Sequence, residues 1–290
     1  FRSRWGRLPH RPITAYLREL PKKGITFAYA NTMPFTIEGQ LQPGVYELEG
    51  DVSSQYVTGL ILALILLPGD SEIRMLSRLE SKPYVDLTIA CLRQFGAEVQ
   101  ETASGYRIPG GQKLHACDQT VEGDYSQAAF FFVANVLGST IELTNLNPKS
   151  VQGDKKIVEI TEQMCYNLKE GLPACFSVDA SDIPDLVPIL AVLATFGTAP
   201  SRITGAHRLA IKESDRLSST AAMLNALGGD VTATEDGLEI RPVSELHGGT
   251  VDSCGDHRIA MCAAVAATRC TGAVTILHGE CVEKSYPQFY

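Results

Sequence analysis

Residues 50–82, GDVSSQYVTGLILALILLPGDSEIRMLSRLESK, set the architecture of the whole chain. A small residue and an aspartate open the stretch, and an apolar helical run follows. Pro68-Gly69 ends the run, Ser71–Met75 reads as a short strand, and Ser81-Lys82-Pro83-Tyr84 opens a second helix. Three more stretches repeat the plan. Gly123-Asp124-Tyr125-Ser126-Gln127, Ser181-Asp182-Ile183-Pro184-Asp185 and Gly255-Asp256-His257-Arg258 each lead into an apolar helix. Strand-like runs follow at 140–143, 201–204 and 273–277. Second polar patches then stand at Ser150-Val151-Gln152-Gly153-Asp154, at Ile211-Lys212-Glu213-Ser214-Asp215-Arg216 and at Glu283-Lys284-Ser285-Tyr286. Asp51 to Lys82 spans 31 residues, Asp124 to Asp154 and Asp182 to Lys212 span 30 each, and Asp256 to Lys284 spans 28. So constant a spacing predicts an internal repeat of helix, strand, helix and strand with hairpin material between copies, an α/β chain. Gly96-Ala97-Glu98-Val99 and Gly228-Gly229-Asp230-Val231 mark the ends of second helices, and the turn-rich Ile108-Pro109-Gly110-Gly111 precedes a domain break near 121–124.

Composition narrows the function. At 290 residues with 44% apolar and 20% charged content, the chain reads as soluble and large enough for two domains. A net charge of −8 argues against a nucleic-acid or polyanion binder. The longest apolar run, 59–67, is too short to span a bilayer, and residues 1–11, with four arginines and no apolar core, do not read as a signal segment. The eight cysteines have no zinc-type spacing, and several fall in apolar helical runs, which predicts reduced, buried thiols in a cytosolic protein.

The helix starts carry the chemistry. Free N–H groups at a helix N-terminus favour anions. Ser53-Ser54 with the Gln55 amide offers more donors than one cap needs, although capping alone also accounts for it. His257 and Arg258 stand at the start of the helix 259–268, where a cation opposes the macrodipole; a salt bridge to Asp256 or to a carboxylate elsewhere, or a bound anion, would relieve that conflict equally well. Lys212 and Arg216 are spaced i, i+4, so that two like charges share a helix face, with Glu213 as a possible surface partner of Arg216. Lys82 and Lys284 stand at equivalent places in two other copies, and Arg11 precedes a helical start. Six lysines and arginines so placed in an acidic chain imply a local pocket for a small anionic ligand. Asp185 is either an aspartate matched to a helix dipole or a general base kept ionised by cations, with Glu213 as its acid partner.

The motifs GDVSSQ, SKPY, DIPD, IKESDRL, GDHRIAM and KSYPQF, in this order over 11–290, resemble the 5-enolpyruvylshikimate-3-phosphate synthase family. The motifs of the related transferase acting on UDP-N-acetylglucosamine are not seen. The resemblance implies the enolpyruvyl transferase fold, two domains built from six β-α-β-α-β-β units. Here they would be an upper domain, 1–120, lacking its first repeat, and a lower domain, 121–290. It also implies that shikimate 3-phosphate and phosphoenolpyruvate meet in a cleft between the domains. Ser53, Ser54, Gln55, Ser81 and Tyr84, with Asp185 and Lys212, would hold shikimate 3-phosphate. Arg11, Arg216, Arg258 and Lys284 would surround phosphoenolpyruvate, Gln55 would touch both ligands, and His257 would join the binding set. Asp185 would be the base toward the 5-hydroxyl, Glu213 the proton donor to C3 of the enolpyruvyl group, and Lys284 a third catalytic group. The resemblance implies no metal or redox cofactor, a cytoplasmic monomer without nucleic-acid or membrane partners, and a glyphosate target. Two departures stand out: the family's N-terminal Lys-Ser and Gly-Asn-Ala-Gly-Thr motifs are not found, and Arg208 stands where the family often has asparagine. The chain also stops before an expected final helix. The expectation is therefore a fragment with little or no turnover, the alternative being a catalytically dead anion-binding remnant.

Overall fold

Apolar residues at 57, 60, 61 and 64 fall on one side of a helix, and that side is where the first half of the chain builds its core. The computed structural model describes residues 12–31 and 34–290, which divide into two compact units between Val121 and Glu122. Arg11, expected to bind substrate, lies outside the described residues.

In the first unit, a short helix α1 (Thr14–Glu19) and a hairpin of β1 (Ile25–Ala28) with β2 (Thr36–Gly39) precede the repeat. The repeat itself runs β3 (Val45–Leu48), α2 (Ser54–Leu64), β4 (Ser71–Met75), α3 (Lys82–Gln94), β5 (Gln100–Thr102) and β6 (Gly105–Ile108). Its sheet has the order β3-β4-β6-β5, with β3 and β4 parallel and the other pairs antiparallel. Val57, Leu60, Ile61 and Leu64 of α2 pack with Val85, Ile89 and Leu92 of α3 and with Tyr46, Leu48, Ile73 and Ile108 of the sheet.

The second unit repeats the plan strand for strand. After α4 (Tyr125–Val136) and α5 (Lys156–Lys169) come β7 (Ser177–Asp179), α6 (Val187–Thr195), β8 (Ser201–Thr204), α7 (Arg216–Ala226), β9 (Asp230–Ala233) and β10 (Leu238–Arg241). The sheet order β7-β8-β10-β9 and its pairing directions match those of the first unit. Equivalent glycines fix both hairpins. A Cβ on Gly105 would stand 2.1 Å from the Ile73 carbonyl oxygen, and one on Gly237 would stand 1.9 Å from that of Ile203. The unit closes with β11 (Gly249–Asp252), α8 (His257–Ala267) and β12 (Val274–Leu277), in which the two strands pair in parallel. Every residue of α6 is buried, so this helix, apolar all round, forms the axis about which α4, α7 and α8 pack.

Three sequence expectations need correction. Residues 140–143 form no strand. The Ile141 N–H and C=O are both taken by the Asn135 side chain, each at 2.8 Å, and a β-prone run without a strand neighbour has no ladder to join. The fourth polar patch opens no second helix. A 3₁₀ turn, Gly279–Lys284, stands there, and Pro287 disfavours helical backbone at Tyr286. The eight cysteines are free thiols as expected, but Cys91, Cys117 and Cys254 are exposed and only Cys262 is fully buried. Among the described residues no helix is long and apolar enough to cross a membrane.

Candidate active site

Apart from the patch at 283–286, each polar patch singled out in the sequence lies at or just before a helix start. In the first unit Ser53 caps α2, its hydroxyl accepting from the Gln55 N–H at 3.3 Å, while Ser54 is buried and Gln55 exposed in the first turn. Ser81, buried and in left-handed backbone at φ 54, precedes α3, and Tyr84 is half-buried in its first turn. The two starts lie side by side: the Glu80 N–H donates to the Gly50 carbonyl at 3.1 Å, and a Cβ on Gly50 would stand 2.6 Å from the Arg78 carbonyl oxygen. That close approach explains the glycine. Lys82 pairs with Asp86 at 2.7 Å and Glu101 at 3.4 Å, so its charge is committed within the unit.

In the second unit four helix starts converge, and their charges form one cluster. Asp185 sits in the 3₁₀ turn Pro184–Leu186 that leads into α6. Arg216 is the first residue of α7, and Asp256 is the N-cap of α8, its side chain accepting from the Arg258 N–H at 3.0 Å. Arg216, with its side chain only 2% exposed, is the hub. Its Nη1 donates to Asp185 at 2.8 Å and its Nη2 to Glu213 at 2.7 Å; its Nε and Nη2 donate to Asp256 at 2.8 and 3.4 Å. Arg258 reaches the second oxygen of Asp185 at 3.2 Å, the Asp185 carbonyl at 3.2 Å and the Ser126 hydroxyl of α4 at 2.6 Å. Lys284 donates to the other oxygen of Glu213 at 2.7 Å. Ser214 completes the set, donating to Asp256 at 3.2 Å.

This arrangement answers the question left by the sequence. Cationic groups at helix starts oppose the macrodipole, and the buried Asp256 with the half-buried Asp185 and Glu213 offsets the conflict. Burial by itself would raise the Asp185 pKa, but the charges of Arg258, Arg216 and Lys212 outweigh it and hold the carboxyl well below the usual carboxylate range. Burial and then the Arg258 charge push His257 down to about 4, so its ring is neutral near pH 7. His257 Nδ1 and Gln127 Oε1 are buried without a hydrogen-bond partner among the described residues.

Asp185, Lys212, Glu213, Arg216, His257, Arg258 and Lys284 thus gather in the second unit, while Ser53, Ser54, Gln55, Ser81 and Tyr84 line the helix starts of the first. Two details differ from the sequence reading. Lys212 lies in extended backbone ahead of α7 and shares no helix face with Arg216. The pairing of Glu213 with Arg216 involves a buried guanidinium, not a solvated surface. Arg208 is buried and donates to the Ser181 carbonyl at 2.9 Å. Asp256 and Ser126 were missed as site residues. Asp256 stood in a recognised motif, yet only the fold brings it to Arg216, forty residues away. Among the described residues no group of histidine, cysteine, aspartate and glutamate side chains is placed to hold a metal ion.

Repeated β-α-β-α-β-β units with charged helix starts define the enolpyruvyl transferase fold. The enolpyruvyl transferase NikO from Streptomyces tendae shares it at a TM-score of 0.66 with 19% identity, over 95% of this chain and 69% of that one. The family model for EPSP synthase (3-phosphoshikimate 1-carboxyvinyltransferase) matches residues 6–290, and the chain belongs to that family. Relatives named 3-phosphoshikimate 1-carboxyvinyltransferase from Clostridium novyi and Clostridium acetobutylicum are each 43% identical. The matches cover 98% of this chain and 68% and 69% of those proteins. A solved EPSP synthase structure from Acinetobacter baumannii has a TM-score of 0.77 at 26% identity, over 97% of this chain and 70% of that one.

Proposed function

We propose that the chain transfers the carboxyvinyl group of phosphoenolpyruvate to the 5-hydroxyl of shikimate 3-phosphate and releases phosphate. The observation that supports this most strongly is one buried guanidinium, Arg216, holding two carboxylates, Asp185 at 2.8 Å and Glu213 at 2.7 Å. The reaction needs a base and an acid at neighbouring points. The hydroxyl oxygen bonds to C2 as its proton leaves, and C3 gains a proton. The tetrahedral intermediate then loses a C3 proton as the bond from C2 to the phosphate oxygen breaks. Asp185 takes the hydroxyl proton and Glu213 supplies the proton to C3. Because its neighbours hold Asp185 so far toward the ionised form, it is a weak base, and the hydroxyl proton leaves only as the C–O bond forms.

Arg216, Arg258 and Lys284 offer their charge to the phosphate and carboxylate of phosphoenolpyruvate, where fixed cations in a water-poor site count most. Lys212 and His257 complete the binding set on the second unit. In the first unit Ser53, Ser54, Gln55, Ser81 and Tyr84 bind shikimate 3-phosphate through hydroxyls, an amide and the starts of α2 and α3. The reading extends to a cytoplasmic monomer that acts on small molecules, without nucleic-acid or membrane partners.

The test is phosphate release from phosphoenolpyruvate by the chain, with and without shikimate 3-phosphate. Phosphate release that occurs only when shikimate 3-phosphate is present supports the proposal, and its loss in Asp185→Ala and Glu213→Ala supports the roles. Binding of both anions without phosphate release would point instead to an anion-binding module.

A further inference from the structure

We infer that Asp256 is a positioning residue that sets the orientation of Arg216 and the placement of Arg258 for phosphoenolpyruvate, without touching the substrate itself. The inference rests on the proposed reaction. The Asp256 side chain has no solvent exposure, so it cannot be a ligand to anything that enters from water. It nevertheless touches both cation-bearing helix starts. One oxygen accepts from Arg216 Nε at 2.8 Å and from the Ser214 hydroxyl at 3.2 Å. The other accepts from the Arg258 backbone N–H at 3.0 Å and from Arg216 Nη2 at 3.4 Å.

The geometry gives this pair a direction. Asp256 grips the Nε–Nη2 edge of Arg216 side-on, which fixes the plane of the guanidinium. The remaining donors on Nη1 and Nη2 are thereby aimed at Asp185 and Glu213, the proposed base and acid. The same carboxylate caps α8 at Arg258, whose guanidinium reaches Asp185 from the other side. One buried side chain therefore couples two arginines from different helices to one carboxylate. Without its grip, the Arg216 guanidinium is held only at its Nη1 and Nη2 ends, by Asp185 and Glu213, and its plane is less tightly fixed toward an incoming anion. Ser214, the residue directly before the Asp215 cap of α7, donates to the same Asp256 oxygen that faces Arg216 Nε and keeps the carboxylate turned toward it.

Asp256→Asn keeps the shape but turns one acceptor into a donor facing another donor. The experiment measures KM for each substrate and kcat for the wild type, Asp256→Asn, Arg216→Lys and the double variant, with phosphoenolpyruvate binding measured directly by calorimetry. The expected result for Asp256→Asn is a rise in phosphoenolpyruvate KM and Kd of at least about tenfold, the scale of one lost charge-assisted contact. KM for shikimate 3-phosphate should stay within about twofold. The double variant should lose less phosphoenolpyruvate affinity than the two single losses multiplied together, since Asp256 acts through Arg216 as well as through the placement of Arg258. Should Asp256→Asn not fold, Ser214→Ala, which leaves the ion pair in place, is read the same way, with a smaller rise expected in phosphoenolpyruvate KM. A lower melting temperature with both KM values and the phosphoenolpyruvate Kd unchanged would overturn the inference, as would additive effects in the double variant. A wild type that binds phosphoenolpyruvate without turning it over sinks the proposed reaction while leaving the Kd comparison decisive. A wild type that neither binds nor reacts sinks both.

Discussion

Replacing Arg216 by methionine should destabilise the second unit more than any change to the exposed ion pairs of the chain. The side chain is 2% exposed and donates to three carboxylates. Asp185 and Glu213 are 22% and 18% exposed, and each keeps a second cation, Arg258 or Lys284, so each adds less than about 1 kcal/mol. Asp256 has no exposure and would be left with only the Ser214 hydroxyl and the Arg258 N–H. Removing one partner of a buried pair costs roughly 3–5 kcal/mol, because the other charge stays buried without compensation. For a unit of this size that lowers the melting temperature by about 2–4 °C per kcal/mol, so a fall of roughly 6–20 °C is expected. Urea unfolding read by hydrogen exchange of the α6 and α8 amides reports on the second unit directly. Adding Asp256→Leu to Arg216→Met should restore part of the loss, because the stranded charge is then gone. An Arg216→Met chain within about 1 kcal/mol of wild type, or one made worse by Asp256→Leu, would refute the reasoning.

His257 makes the second unit acid-sensitive. Its folded pKa of about 4 lies below the ordinary 6.5, so between those values the unfolded chain binds a proton that the folded chain does not, and stability falls as pH drops through this window. The loss at pH 5 is about 2 kcal/mol, and His257→Gln should flatten the profile of unfolding midpoint against pH. Asp185, depressed in its folded pKa, adds stability that is fully present above the ordinary carboxylate pKa and is lost progressively as pH falls from there toward its folded value. In the first unit, Gly50→Ala drives a Cβ toward backbone atoms at 2.6–2.8 Å and should cost roughly 1–3 kcal/mol. Circular dichroism melts of that variant, together with exchange rates at the starts of α2 and α3, should show the loosening there.

The repeat was legible because its signals are local. Each Gly-Asp or Ser-Asp opening announces a helix start within a few residues, and Ser53, Asp124 and Asp256 cap their helices by bonds to the next turn. The strand at residues 140–143 was misread because pattern alone cannot reveal whether a neighbour is present to pair with it; the Asn135 side chain occupies the Ile141 backbone groups instead. Asn225 clasps Val231 in the same way, and there the run does join β10. The cluster was legible residue by residue but not as a network. Asp185 and Arg258 are 73 positions apart, and Arg258 and Ser126 are 132 apart. No local pattern could have identified Asp256 as the partner that lets a buried arginine sit at the start of α7. The reading of Lys212 and Arg216 as helix neighbours failed because the helix begins only at Arg216.

The most direct test follows phosphoenolpyruvate and shikimate 3-phosphate by phosphorus NMR in deuterium oxide, with the wild-type chain, Asp185→Ala and Glu213→Ala. Acid–base chemistry by this cluster predicts inorganic phosphate and a carboxyvinyl ether together, only when both substrates are present, with solvent deuterium entering C3 of the enolpyruvyl group. Both alanine variants should lose product formation. Phosphate release without shikimate 3-phosphate, no product from the wild type, or full turnover in either variant would contradict the account.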